Sequence, residues 1–413
     1  MSRNFYGINA TISPVVSIGA AIYSIAMAVF RHSVYEDKGF MDTAKDVLQY
    51  VILAVLSVRA KQITGGHSTV KTLYHLAITI STFRLVRATY AKYVVGKEYT
   101  KIRVDNKVYI ITGCNTGIGY ETAKALLEMG GTVIMACRSV DKAEEARSRL
   151  LEATGVTEDK AVVLRLDLCD FVSVRTFVVE FEKLKLPLHG LINNAGIMMD
   201  KRCETKDGLE MVMTANHLSH FLLTNLLIGH LEKSAGRIVV LSSSLHHSPS
   251  SINLDDFMSE KAYSLFGTYS QAKLANVMHV KMLAALLQAR KSRVTVNAVH
   301  PGCVRTEVTR HMSPVMQFLN YLGTPFMLAM QKTPAQGAYC TVFVATSGTL
   351  RGQSGNYYFH CKKERVNAAA NNHDECLKLW QRSEEITQSS APVGPDGMPI
   401  GAPAGKVETK KDK

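Results

Sequence analysis

Tyr269 and Lys273 have residue types and a spacing that suit acid–base chemistry. They lie four positions apart in a stretch that predicts a helix from about Tyr269 to Gln288, and residues four apart share one face of a helix. A phenol with a pKa of about 10 is a poor acid or base at neutral pH. A neighbouring ammonium group favours the phenolate, so we expect Lys273 to lower the pKa of Tyr269.

A glycine-rich loop predicts a phosphate-binding site. The segment Thr112–Gly119 (TGCNTGIG) follows a predicted strand and precedes a predicted helix. Glycines permit a tight turn against a ligand, and the helix N-terminus then offers free N–H groups. This context is typical of dinucleotide-binding folds, although a purely structural turn is the alternative. The residues expected to contact the ligand are Gly113, Asn115, Thr116, Gly117, Ile118 and Gly119.

Arg138 indicates which dinucleotide would bind. It ends the second predicted strand about 20 residues past the glycines, where dinucleotide folds contact the adenosine ribose. An acidic residue there would select NAD(H), whereas Arg138 offers a cation to the 2′-phosphate of NADP(H), which we therefore expect. Alternatively, Arg138 only stacks on the adenine or faces solvent. Asp167 and Leu168, at the end of the third predicted strand, would lie beside the adenine.

The elements that must position these residues alternate between strands and helices from Asp105 onward. Near-continuous apolar strands in such an alternation predict an α/β fold of the Rossmann type, a doubly wound parallel sheet of seven strands covered on both faces. The predicted strands are Val108–Thr112, Thr132–Cys137, Ala161–Leu168, Gly190–Asn193, Arg237–Ser242, Arg293–Val299 and Asn356–His360. The predicted helices lie near 117–129, 141–153, 172–184, 207–232, 269–288 and 335–346.

Residues 1–100 predict a helical, membrane-associated region. No charged residue lies between Arg3 and Arg31, and the apolar part from Ile12 to Phe30 has the length of a bilayer span, about 20 residues. We expect an uncleaved anchor; a cleaved signal peptide and a buried core helix are the alternatives. Two shorter apolar runs, Val47–Val58 and Thr72–Phe83, predict either helices on an anionic membrane surface or soluble helices packed on the main domain.

Charge and composition exclude some partners. The chain has 48 Lys and Arg against 35 Asp and Glu, a net charge of +13, which favours anionic ligands or lipids. No dense basic block with interleaved aromatic residues occurs, so we expect no nucleic acid partner. The cysteines and histidines lack metal-ligand spacing, so we expect no metal. Residues 389–413, rich in Pro, Gly, Ala and Lys, predict a disordered tail.

These motifs together resemble the short-chain dehydrogenase/reductase family. The chain contains the glycine loop, an NNAG motif at Asn193–Gly196, a serine at the fifth strand, the YxxxK pattern at Tyr269–Lys273 and Pro301-Gly302 after the sixth strand. The segments LINNAGIMM, HFLLTNLL, SQAKLANV and HPGCVRTEV are most similar to the membrane-associated retinol dehydrogenase and X-linked dehydrogenase/reductase branch. The resemblance covers about residues 105–388.

The resemblance implies the roles of the site residues. Tyr269 would be the general acid in reduction and the base in oxidation, Lys273 would also hold the nicotinamide ribose, and Asn216 would support a proton-relay water. The serine that hydrogen-bonds the substrate oxygen would be Ser243, with Ser242 as the alternative. Further cofactor contacts would come from Asn194, Ala195, Gly196, Pro301, Gly302 and Thr306.

An apolar, methionine-rich insertion from Met312 to Met330 indicates the class of substrate. In the family this insertion is the substrate lid, and its composition suits a large flexible lipid. Alternatively, it packs on a partner subunit or dips into the membrane.

The predicted function is NADP(H)-dependent interconversion of a lipophilic alcohol and its aldehyde or ketone, of retinoid, prenoid, steroid or fatty type. Carbonyl reduction is expected if NADPH is the cytosolic partner. A membrane-anchored cofactor-binding scaffold with little turnover is the alternative. The expected location is the endoplasmic reticulum membrane or a lipid droplet. The resemblance implies a homodimer formed through the helices near 207–232 and 269–288.

Overall fold

One eight-stranded sheet forms the centre of the computed structural model, which describes residues 101–304 and 332–389. The strands are β1 Val108–Thr112, β2 Thr132–Cys137, β3 Ala161–Arg165, β4 Gly190–Asn193, β5 Arg237–Leu241, β6 Thr295–His300, β7 Tyr357–Phe359 and β8 Lys362–Glu364. Their order is β3-β2-β1-β4-β5-β6-β7-β8. The order reverses between β1 and β4, so the loops that follow these strands border a crevice at the carboxyl edge of the sheet, where such folds bind ligands.

Helices cover both faces of the sheet because successive strand residues point to opposite sides. Ile110, Leu191 and Ile238 belong to one buried core, and their neighbours Ile111, Ile192 and Val239 belong to the other. The helices are α1 Gly117–Glu128, α2 Val140–Thr154, α3 Phe171–Lys183, α4 Ser219–Ser234, α5 Leu265–Ala289, α6 Pro334–Thr346 and α7 His373–Thr387. Residues of α3, α4, α5 and α7 lie in the first core, and residues of α1, α2 and α6 lie in the second.

The prediction of seven parallel strands is wrong at the edge of the sheet. The pairs among β1–β7 are parallel, but β8 is an eighth strand that pairs antiparallel to β7. Lys362–Glu364 is exposed and charged, so it carries no hydrophobic pattern. Its turn has positive φ angles at His360 (+51°) and Cys361 (+59°), the backbone of a two-residue hairpin without the usual Asn or Gly.

The helix predicted near 207–232 is not continuous. A short α-helical turn, Met211–Met213, is capped by the Glu210 carboxylate, which accepts a hydrogen bond from the Val212 N–H at 2.8 Å. A π-helical turn, Thr214–Leu218, separates it from α4. Hydrophobic periodicity cannot report such a turn, because it changes hydrogen bonding without changing which residues are apolar.

Helix α5 begins at Leu265, four residues before the predicted start, because the Ser264 hydroxyl caps it by accepting a hydrogen bond from the Gly267 N–H at 3.1 Å.

Helix α7 had no counterpart in the prediction. Its Trp380 packs on Phe221 of α4 and His279 of α5, with ring centroids 4.8 and 5.7 Å apart. Part of the surface of the two helices expected to form a homodimer is therefore buried within the chain itself.

Several predictions concern residues outside the described ranges. These are the membrane-associated region 1–100, Thr306, the lid at 312–330 and the tail beyond Ser389. Where the structure describes the chain, it contains no helix with the length and apolar character needed to cross a membrane.

Candidate active site

The predicted phosphate loop connects β1 to α1 and lies against the end of β4. Gly113 and Gly117 have φ angles of +66° and +61°, which glycine adopts readily. A Cβ atom on Gly119 would lie 2.4 Å from the Gly113 carbonyl oxygen and 2.5 Å from Asn194 Nδ2. The Asn194 amide in turn donates to the Thr112 carbonyl oxygen at 2.8 Å. The loop is therefore held in one conformation by the asparagine of the NNAG motif.

The Thr112 hydroxyl is a second connection between β1 and β4 that sequence reasoning did not identify. It accepts hydrogen bonds from the N–H groups of Asn194 and Ala195, both at 2.9 Å. It also lies 2.9 Å from His220 Nε2 on α4. Thr112 was visible in the glycine-loop motif, but only the fold brings its hydroxyl to residues more than 80 positions away.

The N-terminus of α1 fits a phosphate group. Its N-cap residue, Thr116, makes no side-chain hydrogen bond to the helix, and the first turn has no acidic residue. By contrast, α2, α3 and α5 are capped by the side chains of Ser139, Asp170 and Ser264. Helix N-terminal N–H groups attract anions. The uncapped helix and the glycine cradle thus fit the pyrophosphate of a dinucleotide, with Asn115 and Ile118 in the same half-buried loop.

Arg138 directly follows β2 and is exposed. Across residues 101–304 and 332–389, no hydrogen bond or ion pair engages its guanidinium group, which is thus free to meet an anion. Asp167 is half-buried, and its carboxylate accepts a hydrogen bond from the Cys169 N–H at 3.0 Å. Leu168 is buried, and its carbonyl oxygen accepts a hydrogen bond from the Ser219 hydroxyl at 2.6 Å. Arg138 follows β2, and Asp167 and Leu168 follow the neighbouring strand β3.

Tyr269 and Lys273 share one face of α5. The Lys273 side chain is only 3% exposed, and its ammonium group donates to the Leu241 carbonyl oxygen at 3.1 Å. Lys273 Nζ lies 5.4 Å from the centre of the Tyr269 ring. Burial lowers the pKa of Lys273 to about 8.

The expected effect of Lys273 on Tyr269 is not found. Burial raises the pKa of the Tyr269 phenol above its ordinary value. The ammonium group lies over the aromatic ring rather than at the hydroxyl, so desolvation of the phenolate dominates. In this arrangement Tyr269 keeps its proton at neutral pH.

The two candidate serines after β5 have different surroundings. The Ser242 side chain is buried and donates to the Lys273 carbonyl oxygen at 2.8 Å. Ser243 is partly exposed, and its hydroxyl oxygen accepts a hydrogen bond from the Leu245 N–H at 3.2 Å, which leaves its own proton available. The geometry therefore favours Ser243 as the residue that could meet a substrate.

Asn216 lies in the π-helical turn and is completely buried. Its amide Nδ2 donates to the Ile197 carbonyl oxygen at 2.9 Å, and its Oδ1 accepts from the Ile197 N–H at 2.8 Å. A Cβ atom on Gly196 would lie 3.2 Å from Asn216 Oδ1 and 3.5 Å from Lys273 Nζ. Asn216, Gly196 and Lys273 thus meet beside the crevice.

The loop after β6 is shaped by Lys332. Gly302 has a φ angle of +96°, and a Cβ atom there would lie 2.8 Å from Lys332 Cε. The Lys332 N–H donates to the Cys303 carbonyl oxygen at 2.7 Å, and Pro301 is buried beside it.

In the described part of the chain, no group of three or more His, Cys, Asp or Glu residues could hold a metal ion.

Several known proteins are similar to this chain in sequence. The family pattern described as short chain dehydrogenase matches residues 107–316. Human retinol dehydrogenase 12 is 42% identical over 287 residues, which cover 70% of this chain and 88% of that protein. Human polyprenol dehydrogenase is 38% identical over 287 residues, which cover 68% and 85%.

A solved structure is also similar to this chain in fold. An uncharacterised protein from Mycobacterium paratuberculosis has a TM-score of 0.56 and 29% identity to this chain. The match covers 71% of this chain and 98% of that protein. The chain therefore belongs to the short-chain dehydrogenase/reductase family, on the branch that includes the retinol dehydrogenases.

Proposed function

We propose that this protein is an NADP(H)-dependent oxidoreductase that interconverts a lipophilic alcohol and its aldehyde or ketone. The observation that carries the proposal is that Lys273 lies over the Tyr269 ring and donates to the Leu241 carbonyl oxygen at the end of β5, two residues before Ser243. The glycine loop packs on Asn194 after the neighbouring strand β4. Family membership supports alcohol and carbonyl chemistry. A complete set of acid–base side chains favours turnover over cofactor binding alone.

Each side chain has a distinct task in this proposal. The bound cofactor supplies or accepts the hydride. Tyr269 gives its proton to the substrate carbonyl oxygen in reduction and takes it back in oxidation, while Ser243 donates a hydrogen bond to the same oxygen. Lys273 holds the nicotinamide ribose, and Asn216 supports the proton relay. Since the same side chains serve both directions, the supply of NADPH would decide for carbonyl reduction.

The cofactor would be held along the carboxyl edge of the sheet. The glycine loop and the α1 N-terminus would bind the pyrophosphate, Asp167 and Leu168 would border the adenine, and the nicotinamide end would contact a third group of residues. That group is Asn194, Ala195, Gly196, Pro301, Gly302 and Thr306. The free guanidinium of Arg138 supports a preference for the 2′-phosphate of NADP(H).

The substrate would be a long apolar alcohol or carbonyl compound. Two similar proteins are named retinol dehydrogenase and polyprenol dehydrogenase. Retinol and polyprenols are both isoprenoid alcohols. The methionine-rich segment 312–330 suits such a chain because methionine adapts to irregular apolar surfaces. We therefore propose a retinoid or prenoid substrate ahead of a steroid or fatty one.

A lipid substrate also fits a membrane location. The uncharged run from Ile12 to Phe30 would anchor the protein to the endoplasmic reticulum or to a lipid droplet surface. A homodimer would have to use surfaces of α4 and α5 that α7 leaves open.

The first experiment measures NADPH oxidation by the full chain, purified in detergent, with a panel of lipophilic aldehydes and ketones. Tyr269→Phe is assayed in parallel, and NADPH binding to both proteins is measured by fluorescence. We expect turnover that falls about 100- to 10,000-fold in the variant while NADPH binding is retained. Binding without turnover across the panel would instead favour a cofactor-binding scaffold, and equal turnover by the variant would refute the proposed role of Tyr269.

A further inference from the structure

His220 lies between the cofactor side and the catalytic side of the site. Its imidazole is 1% exposed, and both of its ring nitrogens have partners. Nε2 lies 2.9 Å from the Thr112 hydroxyl, and Nδ1 lies 3.2 Å from the main-chain carbonyl oxygen of Asn216. One side chain thus joins the β1–β4 connection to the π-helical turn.

The partners of His220 determine which nitrogen carries the proton. The Thr112 hydroxyl oxygen already accepts two N–H groups, from Asn194 and Ala195, so its own proton is free to be donated to His220 Nε2. The Asn216 carbonyl can only accept, so Nδ1 must carry the hydrogen. This tautomer satisfies every group in the chain of contacts.

The imidazole remains neutral in this setting. Burial lowers the pKa of His220 to about 3 and outweighs the hydrogen bond to the Asn216 carbonyl, which raises it. The neighbouring Lys273 ammonium and His217 imidazole act in the same direction as burial. A neutral ring keeps one donor and one acceptor at all working pH values, so neither hydrogen bond is exchanged for another.

We propose that His220 is a positioning residue that fixes the glycine loop through Thr112 and the Asn216 carbonyl through Nδ1. A π-helical turn departs from regular helical hydrogen bonding, so the direction of its carbonyl groups depends on contacts such as this one. The kinetic part of this inference rests on the proposed function. The hydrogen-bond part does not.

A matched control is available three residues earlier, in the π-helical turn. His217 is also completely buried, but its ring nitrogens face Asn276 Oδ1 at 3.3 Å and the Ser383 hydroxyl at 3.0 Å. Replacing it removes the same side chain from the same core without touching Thr112 or the Asn216 carbonyl. Any effect common to variants of His217 and His220 is therefore a packing effect.

Two substitutions separate the two contacts of His220. In His220→Asn the amide can still donate near the Nδ1 position but cannot reach Thr112. In His220→Gln the amide can still accept from Thr112 but cannot reach the Asn216 carbonyl. A lost buried hydrogen bond of this kind changes an equilibrium or rate about tenfold.

We therefore expect His220→Asn to weaken NADP⁺ binding about tenfold, measured by calorimetry, with kcat near that of the natural protein. We expect His220→Gln to lower kcat about tenfold with NADP⁺ affinity unchanged. His217→Asn should do neither. Equal losses of affinity and rate in all three variants would reduce His220 to a packing residue.

A second measurement does not require turnover or variants that fold well. ¹⁵N NMR of histidine-labelled natural protein, with His220 assigned by the signals missing from His220→Gln or from any folded His220 variant, reports which ring nitrogen is protonated. We expect protonation at Nδ1, and protonation at Nε2 would overturn the inference. If the natural protein turns over no substrate, the proposed function fails, while the tautomer and the NADP⁺ affinities still decide the role of His220.

Discussion

The Ser242 hydroxyl donates a hydrogen bond to the main-chain carbonyl of Lys273 at 2.8 Å. This contact fixes the end of β5 to the middle of α5, and the same strand end receives the Lys273 ammonium at the Leu241 carbonyl. Ser242 is thereby committed to structure, while its neighbour Ser243 is half-buried and keeps its hydroxyl proton available.

Ser243→Ala should therefore mainly affect the reaction rate, and Ser242→Ala should mainly affect stability. Removing a hydrogen-bond donor to a reacting oxygen lowers kcat about 100-fold or more, so we expect this of Ser243→Ala. The loss of its exposed hydrogen bond from the Leu245 N–H should lower stability by only about 0.5 kcal/mol. Ser242→Ala should lower the free energy of unfolding by about 1–2 kcal/mol, with a smaller effect on rate. Steady-state kinetics and urea unfolding of both variants test this, and the reverse pattern would assign the catalytic role to Ser242.

Gly119→Ala should abolish cofactor binding. Its Cβ atom would lie 2.4 Å from the Gly113 carbonyl oxygen and would displace either the loop or Asn194. We expect a loss of at least about 2 kcal/mol in unfolding free energy. Gly229→Ala is the control, because a Cβ atom there meets nothing within 4 Å on α4 and should stabilise the helix by about 0.5–1 kcal/mol. Comparable behaviour of the two variants would contradict the tight packing of the loop.

Lys273 should give the protein a characteristic dependence of stability on pH. Its folded-state pKa of about 8 is below the unfolded value, so the unfolded chain binds more protons between these two pKa values. The contribution of Lys273 to the free energy of unfolding therefore increases as pH rises through this window. The increase amounts to about 2–3 kcal/mol by about pH 10.4. Lys273→Met removes this gain. Urea unfolding of both proteins from pH 7.5 upward measures the difference, and parallel curves would contradict the lowered pKa.

Arg138→Asp should change the choice of cofactor. Losing the cation and adding a negative charge should weaken NADP⁺ binding about 10- to 100-fold, while NAD⁺ binding stays equal or improves. Lys233→Asp, at the exposed end of α4, changes the net charge equally and should leave both affinities unchanged. Calorimetry with both cofactors provides the comparison. Unchanged NADP⁺ affinity in Arg138→Asp would show that another residue recognises the 2′-phosphate.

The sequence predicted best the elements whose bounds follow from a single signal, such as an uninterrupted apolar run. The buried, β-branched runs Val108–Thr112 and Thr132–Cys137 were predicted with the bounds that the structure has. Helix α7 also had readable signals that were overlooked, since Asn372 caps it and its buried Cys376, Leu379 and Trp380 stand at positions i, i+3 and i+4. Strand β8 had none, because its three residues are exposed and charged.

Within the site, the sequence indicated which residues have reactive groups but not how their surroundings change them. Spacing placed Lys273 on the face of Tyr269, yet it could not show that the ammonium would lie over the ring and that burial would dominate the pKa. The connection of Thr112 and His220 depends on residues 108 positions apart. Such contacts arise only when the sheet brings β1 and α4 together.

The packing of α7 on α4 and α5 has a consequence for truncated forms of the enzyme. Trp380 packs in the core behind the helix that carries Tyr269 and Lys273, and α7 follows all the other described helices and strands in the chain. A chain truncated before residue 373 would therefore expose Phe221 of α4 and His279 of α5, which Trp380 contacts. Such a truncation would loosen the helix that carries Tyr269 and Lys273 without removing either residue.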